Sequence, residues 1–218
     1  LTSNLKSFKN IKNLGEETWR IKNVGLLSLD LFRENFFKKK SYLEKKFSIN
    51  LEKPLILLIQ HPVTWQIDET KKQINETLAA IAKLKVQTIA IYPCSDPGFS
   101  AIINSYKRFT KHKFFKLYKN IEINEFYSLL KYSSLLIGNS SCGITECGYL
   151  KKYVLNIGIR QEGRVSEKNV IHTLHKKNLI IKNVKKILQK PSIKKRSFLY
   201  GNGRSAKNIK NFILKNLN

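Results

Sequence analysis

The sequence contains no methionine and only three cysteines among its 218 residues. Because the chain begins at Leu1 and has no methionine, we expect it to be part of a longer translation product. Cys94, Cys142 and Cys147 are too few and too sparse for a disulfide framework, which favours a reducing cytoplasm. Cys142 and Cys147 have no second ligand pair nearby, so we expect neither a metal site nor a bound cofactor.

Long apolar runs are also lacking. Runs such as 55–59 and 135–137 are far shorter than the roughly 18 residues that a membrane span needs, and no secretory signal precedes them. With 42% hydrophobic and 26% charged residues, the composition is typical of a globular protein with one large or two small domains. We therefore expect a cytoplasmic protein with no membrane partner.

Acidic residues are scarce, because 15 Asp and Glu stand against 41 Lys and Arg, a formal net charge of +26. Such an excess suggests a nucleic-acid-binding module, in which clustered bases neutralise phosphates. The lysines are scattered over every segment, however, and no nucleic-acid-binding motif accompanies them. A solvated basic surface is the favoured interpretation, so we expect no nucleic-acid partner. The charge would still attract an anionic substrate.

From residue 54 onward, short apolar runs alternate with helical stretches. Most of the runs are uninterrupted rather than alternating, as in strands that helices cover on both faces. In one stretch Ile74, Leu78, Ile81 and Leu84 form a single apolar stripe. The pattern predicts an α/β fold with a Rossmann-like parallel sheet. The predicted strands are 55–60, 86–92, 114–118, 134–137, 153–157 and 179–181, and the predicted helices are 68–84, 99–110, 123–132, 143–150 and 183–189.

The two ends of the chain differ from this pattern. Residues 20–24 predict a short strand, and 29–47 predict a helix. We interpret residues 1–22 as the remnant of a missing N-terminal domain and residues 23–200 as the Rossmann-like domain. Residues 201–218 predict a C-terminal helix, since Ala206, Ile209, Phe212 and Ile213 share one helical face.

The most informative segment is IGNSSCGITE at 137–146, where a predicted strand ends and a helix begins near Gly143. Ligands of open parallel sheets bind beyond the carboxyl ends of the strands. Backbone N–H groups at a helix start, together with the hydroxyls of Ser140 and Ser141, suit a phosphate, and Glu146 suits a ribose diol. Helix capping by either serine is the structural alternative.

Three further strand ends carry polar side chains. His61, in QHPVT at 60–64, can donate to a diphosphate or transfer a proton, although a structural histidine is the alternative. Ser95 and Asp96 lie in the turn YPCSDPG, where we expect them either to contact a ligand or to cap the next helix. Arg160, in NIGIRQEGR, suits phosphate binding or is simply solvated.

Several catalytic signatures are absent from the sequence. It contains no Ser-His-Asp arrangement, no G-x-x-x-x-G-K-[ST] loop and no G-x-G-x-x-G fingerprint. It also has no pair of carboxylates at strand ends. We therefore expect any acid–base chemistry to use groups from outside this chain.

The segments HPVT, YPCSDPG, IGNSSCGITECG and NIGIRQEGR, in this order and spacing, resemble the second domain of UDP-N-acetylglucosamine 2-epimerases. The chain is most similar to the hydrolysing type that begins sialic-acid synthesis, and it corresponds to the C-terminal half. The resemblance covers about residues 20–171, and YGNGRSAKNIKNFI resembles the family's closing helix. It implies the second domain of a glycosyltransferase-B-like fold that holds UDP in an interdomain cleft.

The resemblance implies a reaction and a set of roles. Hydrolysing members eliminate UDP from UDP-N-acetylglucosamine and add water to the resulting glycal, which yields N-acetylmannosamine and UDP. The catalytic carboxylates belong to the N-terminal domain, so the isolated chain should bind UDP weakly and turn over little. Relatives are oligomers, which implies a homo-oligomer. The implied residues are His61 at the reacting centre, and Ile121, Ser140, Ser141, Gly143, Glu146 and Arg160 as UDP contacts, with Ser95 and Asp96 as further candidates.

Alternatives remain open at this stage. Non-hydrolysing members return UDP-N-acetylmannosamine, and UDP-sugar glycosyltransferases share the overall fold. Diacetylated bacillosamine-type sugars are substrates of some relatives, so the amino sugar is also open. Cys94 stands where some relatives carry an asparagine that contacts UDP.

Overall fold

A parallel sheet of six strands lies at the centre of the computed structural model, which describes residues 1–32 and 34–216, with only the backbone of residue 34. The strand order is β3-β2-β1-β4-β5-β6. The strands are β1 Leu55–Ile59, β2 Gln87–Ile91, β3 Phe115–Tyr118, β4 Leu135–Gly138, β5 Tyr153–Ile157 and β6 Val170–Thr173. The helices are α1 Leu5–Asn13, α2 Lys40–Phe47, α3 Thr70–Leu84, α4 Phe99–Phe109, α5 Ile123–Tyr132, α6 Ser141–Thr145, α7 Lys177–Leu188 and α8 Ser205–Asn216.

Helices cover both faces of the sheet, and this explains why its central strands are mainly apolar. All five residues of β1 are buried. Ile56 and Leu58 belong to a core shared with α3, α4 and α7. Leu55, Leu57 and Ile59 belong to the opposite core, which α2 and α5 cover. Since successive side chains of a strand point to opposite faces, both sets must be apolar. The predicted Rossmann-like α/β fold is confirmed.

Five of the six predicted strands are confirmed within one residue at either end, but the sixth is wrong. Residues 179–181 lie inside α7, and the edge strand is β6 instead. The buried side chains Ile180, Val184 and Ile187 recur at helical spacing, so the short apolar run belongs to a helix face. β6 was missed because its exposed residue His172 interrupts the apolar pattern of a four-residue strand.

The helical predictions hold less well towards the N-terminus. Residues 20–24 form no strand beyond an isolated bridge between Thr2 and Asn23. In place of one helix over 29–47, the chain forms short 3-10 turns followed by α2; residue 33 lies outside the described part. Phe32 stacks edge-on against Tyr127 of α5 at 4.7 Å between ring centroids. We attribute the break to this packing, because it draws an aromatic side chain onto the sheet face.

The remaining helices differ mainly at their ends. The helix predicted at 143–150 is the shorter α6, and the one predicted at 183–189 is the longer α7. The predicted C-terminal helix 201–218 is α8; residues 217 and 218 lie outside the described part. Ile209 and Phe212 on α8 are only half-buried, and Ile213 is exposed.

β4 ends on Gly138, where the backbone of β1 comes unusually close. Gly138 has φ +120°, and a Cβ atom added there would overlap the carbonyl of Ile59. The two residues are register partners in the parallel ladder, and Asn139 N–H donates to Ile59 O at 3.0 Å. Only glycine fits both the positive φ and the close approach.

We predict that Gly138→Ala will destabilise the protein by roughly 3 kcal/mol or more, because left-handed strain of about 1–3 kcal/mol is added to a backbone clash. Urea unfolding measures the effect. Gly163→Ala is the matched control, since Gly163 has φ +78° but no atom within 4 Å of an added Cβ, so only the strain of about 1–2 kcal/mol applies. Equal losses for the two variants would contradict the close approach.

A buried carboxylate joins α5 to α2. Glu125 is 3% exposed and accepts hydrogen bonds from Tyr42 Oη at 2.5 Å and Lys46 Nζ at 2.6 Å. Burial alone would raise the pKa of Glu125, but the hydrogen bonds from Lys46 and Tyr42 outweigh it and hold the pKa below 4.5. The folded protein therefore favours the ionised carboxylate.

We predict that Glu125→Gln will lower the melting temperature at pH 7 because it removes the charge that Lys46 pairs with. A carboxylate whose pKa is depressed on folding stabilises above its unfolded pKa and loses this contribution as the pH falls through the folded value. The deficit of the variant should therefore shrink below about pH 4.5. Glu122→Gln, an exposed acid just before α5, is the control. A deficit that is constant from pH 7 to pH 3 would count against the ion pair.

Candidate functional site

The candidate residues gather where the strand order reverses direction. β1 and β4 are neighbours, and the chain proceeds from β1 towards β3 on one side and from β4 towards β6 on the other. In open parallel sheets the loops after such strands diverge and leave a crevice at their carboxyl ends. His61 follows β1, and Asn139 and Ser140 follow β4. The crevice is therefore lined by the segments that the sequence singled out.

Asn139 lies at the centre of this crevice and is 1% exposed. Its Oδ1 accepts from His61 N at 2.6 Å, and its Nδ2 donates to His61 O at 2.9 Å. Its main-chain oxygen accepts from Gln161 Nε2 at 2.8 Å and Arg160 Nη1 at 3.3 Å. The loops after β1, β4 and β5 thus meet on one residue. Asn139 and Gln161 were not among the residues predicted from the sequence, where each is only a polar residue in a motif at the end of a buried strand.

The His61 ring is held by the loop after β2. Cys94 N–H donates to His61 Nδ1 at 3.0 Å, which leaves Nε2 to carry the proton of the neutral ring. Burial, together with the positive charge of Arg160, lowers the pKa of His61 to about 4, although Asp96 acts in the opposite direction. At neutral pH the imidazole is therefore an uncharged hydrogen-bond donor through Nε2.

Arg160 reaches the same loop from β5. Its Nη2 lies 3.4 Å from Asp96 Oδ2. The Cys94 thiol also donates to Asp96 Oδ2, at 2.9 Å. This hydrogen bond and the positive charge of Arg160 outweigh burial and lower the pKa of Asp96, while burial raises the pKa of Cys94. Asp96 therefore orients Arg160 beside His61, and Cys94 is an un-ionised thiol. The alternative role of Asp96, side-chain capping of α4, is not observed, because Gly98 occupies the N-cap.

Ser140 and Ser141 stand at the start of α6, two residues before the predicted start. Ser140 is the N-cap residue but makes no side-chain capping bond, and its Oγ accepts from Cys142 Sγ at 3.3 Å. Both serines are half-buried. Gly143 is buried, and a Cβ there would lie 2.9 Å from Val154 Cγ1, so this glycine lets α6 pack closely on β5. The alternative role of Ser140, capping α6 with its side chain, is therefore not observed.

Glu146 lies at the end of α6 and is 7% exposed. Its Oε1 accepts from Ser28 Oγ at 3.0 Å and from Tyr127 Oη at 3.1 Å. Its Oε2 accepts from Thr145 Oγ1. Three protein hydroxyls therefore use most of the roughly four acceptor positions of the carboxylate, and a ribose diol would have to share or replace them.

Two predicted residues lie outside this cluster. Ile121 follows β3 at the sheet's edge, is half-buried and packs on the α2–α5 core. Ser95 is exposed in the turn and makes no side-chain hydrogen bond to the cluster among the described residues. Their predicted contacts with UDP stay predictions.

Two broader features concern residues 1–32 and 34–216 as a whole. No group of three or more His, Cys, Asp or Glu side chains there is arranged to hold a metal ion, and the three cysteines are unpaired with one another. None of the described helices has the length and apolar character needed to cross a membrane.

Comparison with known proteins identifies the family. A family model described as UDP-N-acetylglucosamine 2-epimerase matches residues 1–214. The GDP/UDP-N,N'-diacetylbacillosamine 2-epimerase (hydrolyzing) of Campylobacter jejuni is 34% identical over 167 residues, which cover 75% of this chain and 43% of the relative. The UDP-N,N'-diacetylbacillosamine 2-epimerase (hydrolyzing) of Legionella pneumophila is 30% identical over 193 residues, with coverages of 88% and 51%. The chain thus spans about half the length of these curated relatives.

Solved structures agree at the level of the fold. UDP-GlcNAc 2-epimerase from Neisseria meningitidis bound to UDP-GlcNAc superposes with a TM-score of 0.75 at 17% identity, and the match covers 98% of this chain and 60% of that one. Sucrose-phosphate synthase from Thermosynechococcus elongatus gives 0.60 at 14% identity, with coverages of 99% and 57%. These superpositions confirm the predicted fold, a Rossmann-like domain like the second domain of a glycosyltransferase-B-like fold. Since the family model matches nearly the whole chain and two relatives are at least 30% identical to it, this chain belongs to the UDP-N-acetylglucosamine 2-epimerase family.

Proposed function

We propose that this chain is the UDP-binding half of a hydrolysing epimerase that converts UDP-N-acetylglucosamine, or a diacetylated analogue, to the free 2-epimer and UDP. The product from UDP-N-acetylglucosamine is N-acetylmannosamine, as sialic-acid-type synthesis requires. The observation that carries the proposal is the convergence of His61 and Arg160 on the Asn139 loop, directly before Ser140 and Ser141.

The arrangement suits a diphosphate leaving group. Ser140 and Ser141 supply hydroxyl donors, His61 supplies Nε2–H, and Arg160 supplies a guanidinium that is only partly used by Asp96 and Asn139. When the bond between C1 of the sugar and the diphosphate breaks, negative charge grows on the β-phosphate. Preorganised donors stabilise that charge without reorganisation. In this proposal Glu146 holds the ribose, and the backbone at Ile121 contacts UDP.

The proton chemistry requires groups beyond this site. Elimination removes the C2 proton and UDP, and hydration then adds hydroxyl to C1 and a proton to C2. His61 has a pKa of about 4 and an engaged Nδ1, so it suits hydrogen-bond donation better than proton abstraction at neutral pH. Asp96 is paired with Arg160, and Glu146 already accepts three hydroxyls. We assign proton transfer to carboxylates of an N-terminal half.

The wider organisation follows from the same proposal. Residues 1–22 would end the N-terminal half, 23–200 would form the UDP-binding domain, and 201–218 would form the closing helix. The 43% and 51% shares of the two relatives that the chain covers support a second half of similar size. A cytoplasmic homo-oligomer is part of the proposal.

The hydrolysing outcome is favoured over the non-hydrolysing one by the relatives. Two relatives that are at least 30% identical over three quarters or more of the chain are named as hydrolyzing 2-epimerases of a diacetylated bacillosamine nucleotide. A third that meets the same threshold, at 33% identity, is named polysialic acid biosynthesis protein P7, from Escherichia coli. The UDP-N-acetylglucosamine 2-epimerase of Neisseria meningitidis is 25% identical. Both amino sugars are therefore candidate substrates.

We predict that millimolar UDP will raise the melting temperature of the chain, since a ligand that binds only the folded state stabilises it. Arg160→Ala should weaken UDP binding about 10-fold or more, because a hydrogen bond to a charged group contributes about 1.5–3 kcal/mol. His61→Ala, and Ser140→Ala combined with Ser141→Ala, should weaken it as well. Isothermal titration calorimetry measures each affinity.

Arg108→Ala is the matched control for Arg160→Ala, since it removes the same charge from an exposed position in the last turn of α4. It should bind UDP like the unmodified chain. If both arginine variants weaken UDP binding equally, the effect is one of net charge rather than of a contact with Arg160. If UDP does not raise the melting temperature of the unmodified chain, that result counts against the proposal.

A polypeptide that carries both halves distinguishes the reaction types. Incubated in D2O with UDP-N-acetylglucosamine or its diacetylated analogue, a hydrolysing epimerase should release free sugar with deuterium at C2, as mass spectrometry would detect. A non-hydrolysing epimerase would give deuterated UDP-linked sugar. A glycosyltransferase would need an acceptor and leave C2 undeuterated, and that result would refute the proposal. This chain alone should give little turnover.

A further inference from the structure

We infer that Asn139 is the positioning residue of this site: it sets the loops that carry His61 and Arg160 relative to each other. The inference relies on the proposed function only for the identity of the ligand. The arrangement itself can be measured in the ligand-free protein.

The side chain of Asn139 matches the backbone of His61 group for group. A carboxamide offers one acceptor and a donor, and here they meet the N–H and the C=O of the same residue, at 2.6 and 2.9 Å. A carboxylate would supply no donor for the carbonyl, and an alkyl side chain would supply neither partner. The position is 1% exposed, so water has little access to replace a lost bond.

This bond pair decides where the imidazole lies. With the His61 backbone fixed by Asn139 and ring Nδ1 fixed by Cys94 N–H at 3.0 Å, the ring is held from two sides. The following residue, Pro62, restricts His61 to extended conformations and is itself buried. Nε2–H is therefore presented to the crevice in one orientation. Without the Asn139 side chain, the His61 backbone would lose both of its bonds to the carboxamide, and the ring would keep its bond from Cys94 N–H.

The main chain of Asn139 also bonds to the end of β1 and to the loop after β5. Its N–H donates to Ile59 O at 3.0 Å and anchors it to the end of β1. Its C=O accepts from both Gln161 and Arg160, which uses the two lone pairs of the oxygen. Every polar group of Asn139 therefore has a partner, and the partners lie on β1, the His61 loop and the loop after β5.

The test compares Asn139→Ala with Asn169→Ala. Asn169 is also a buried asparagine, 8% exposed, whose Nδ2 donates to Lys152 O at 2.8 Å outside the site. Long-range 1H–15N spectra of the ligand-free, 15N-histidine-labelled chain should have one His61 tautomer, protonated on Nε2, in the unmodified protein and in Asn169→Ala. In Asn139→Ala the signals should average between tautomers, and the ring should titrate at least one pH unit higher.

The affinity for UDP gives the second readout. It should fall about 10-fold or more in Asn139→Ala and stay within about twofold in Asn169→Ala, each measured at a temperature where the variant is folded. An unchanged His61 tautomer in folded Asn139→Ala, or equal effects of the two variants, would overturn the inference. If the unmodified chain binds no UDP while the tautomer still changes in Asn139→Ala, the proposed function fails and the positioning role stands.

The unmodified protein provides a check that needs no variant to fold. The His61 backbone amide should be protected from hydrogen exchange, and a scalar coupling should connect its nitrogen with the side-chain carbonyl carbon of Asn139. Rapid exchange of that amide together with an absent coupling would overturn the inference.

Discussion

The close approach of β4 to β1 at Gly138 is the constraint on which the site depends. Because Gly138 has no side chain, the carbonyl of Ile59 can lie against it, and the next residue bonds directly to the end of β1. This contact places Asn139 under the His61 loop and Ser140 at the start of α6. A parallel ladder alone would bring two loop starts to one edge, but it would not bring them within hydrogen-bonding distance.

The charges within the crevice follow from this geometry. Burial keeps His61 neutral, and Asp96 holds Arg160 with its charge partly satisfied. The crevice therefore offers two hydrogen-bond donors, the neutral imidazole of His61 and the cationic guanidinium of Arg160. Within this cluster, each carboxylate already has other partners. Such a cluster suits the proposed diphosphate, and the proposed reaction would need a second set of groups for proton transfer. The half-length match to the curated relatives is consistent with that division.

The sequence predicted best the strands whose successive residues are mostly buried. The inner strands β1, β2, β4 and β5 are largely buried, so their apolar runs are readable in the sequence. β6 lies at the edge and exposes His172, and its pattern was lost in the lysine-rich background. The helix predicted over 29–47 begins only at Lys40, which we attribute to the packing of Phe32 against Tyr127, a contact between residues far apart in the chain. Short-range periodicity carries no information about such contacts.

The amino-acid sequence by itself determined five of the six strands, the polar residues at four strand ends and the family resemblance, because each of these depends on local patterns and motif spacing. Only the tertiary structure decided which of those residues touch. Asn139 carried no sequence signal that separates it from a loop asparagine, yet its side chain joins His61 to the β4 loop. Glu146 looked like an open ligand contact, yet Ser28 and Tyr127 already bond to it. Hydrogen bonds are short and directional, so they are settled only when distant segments are brought together by the packed sheet.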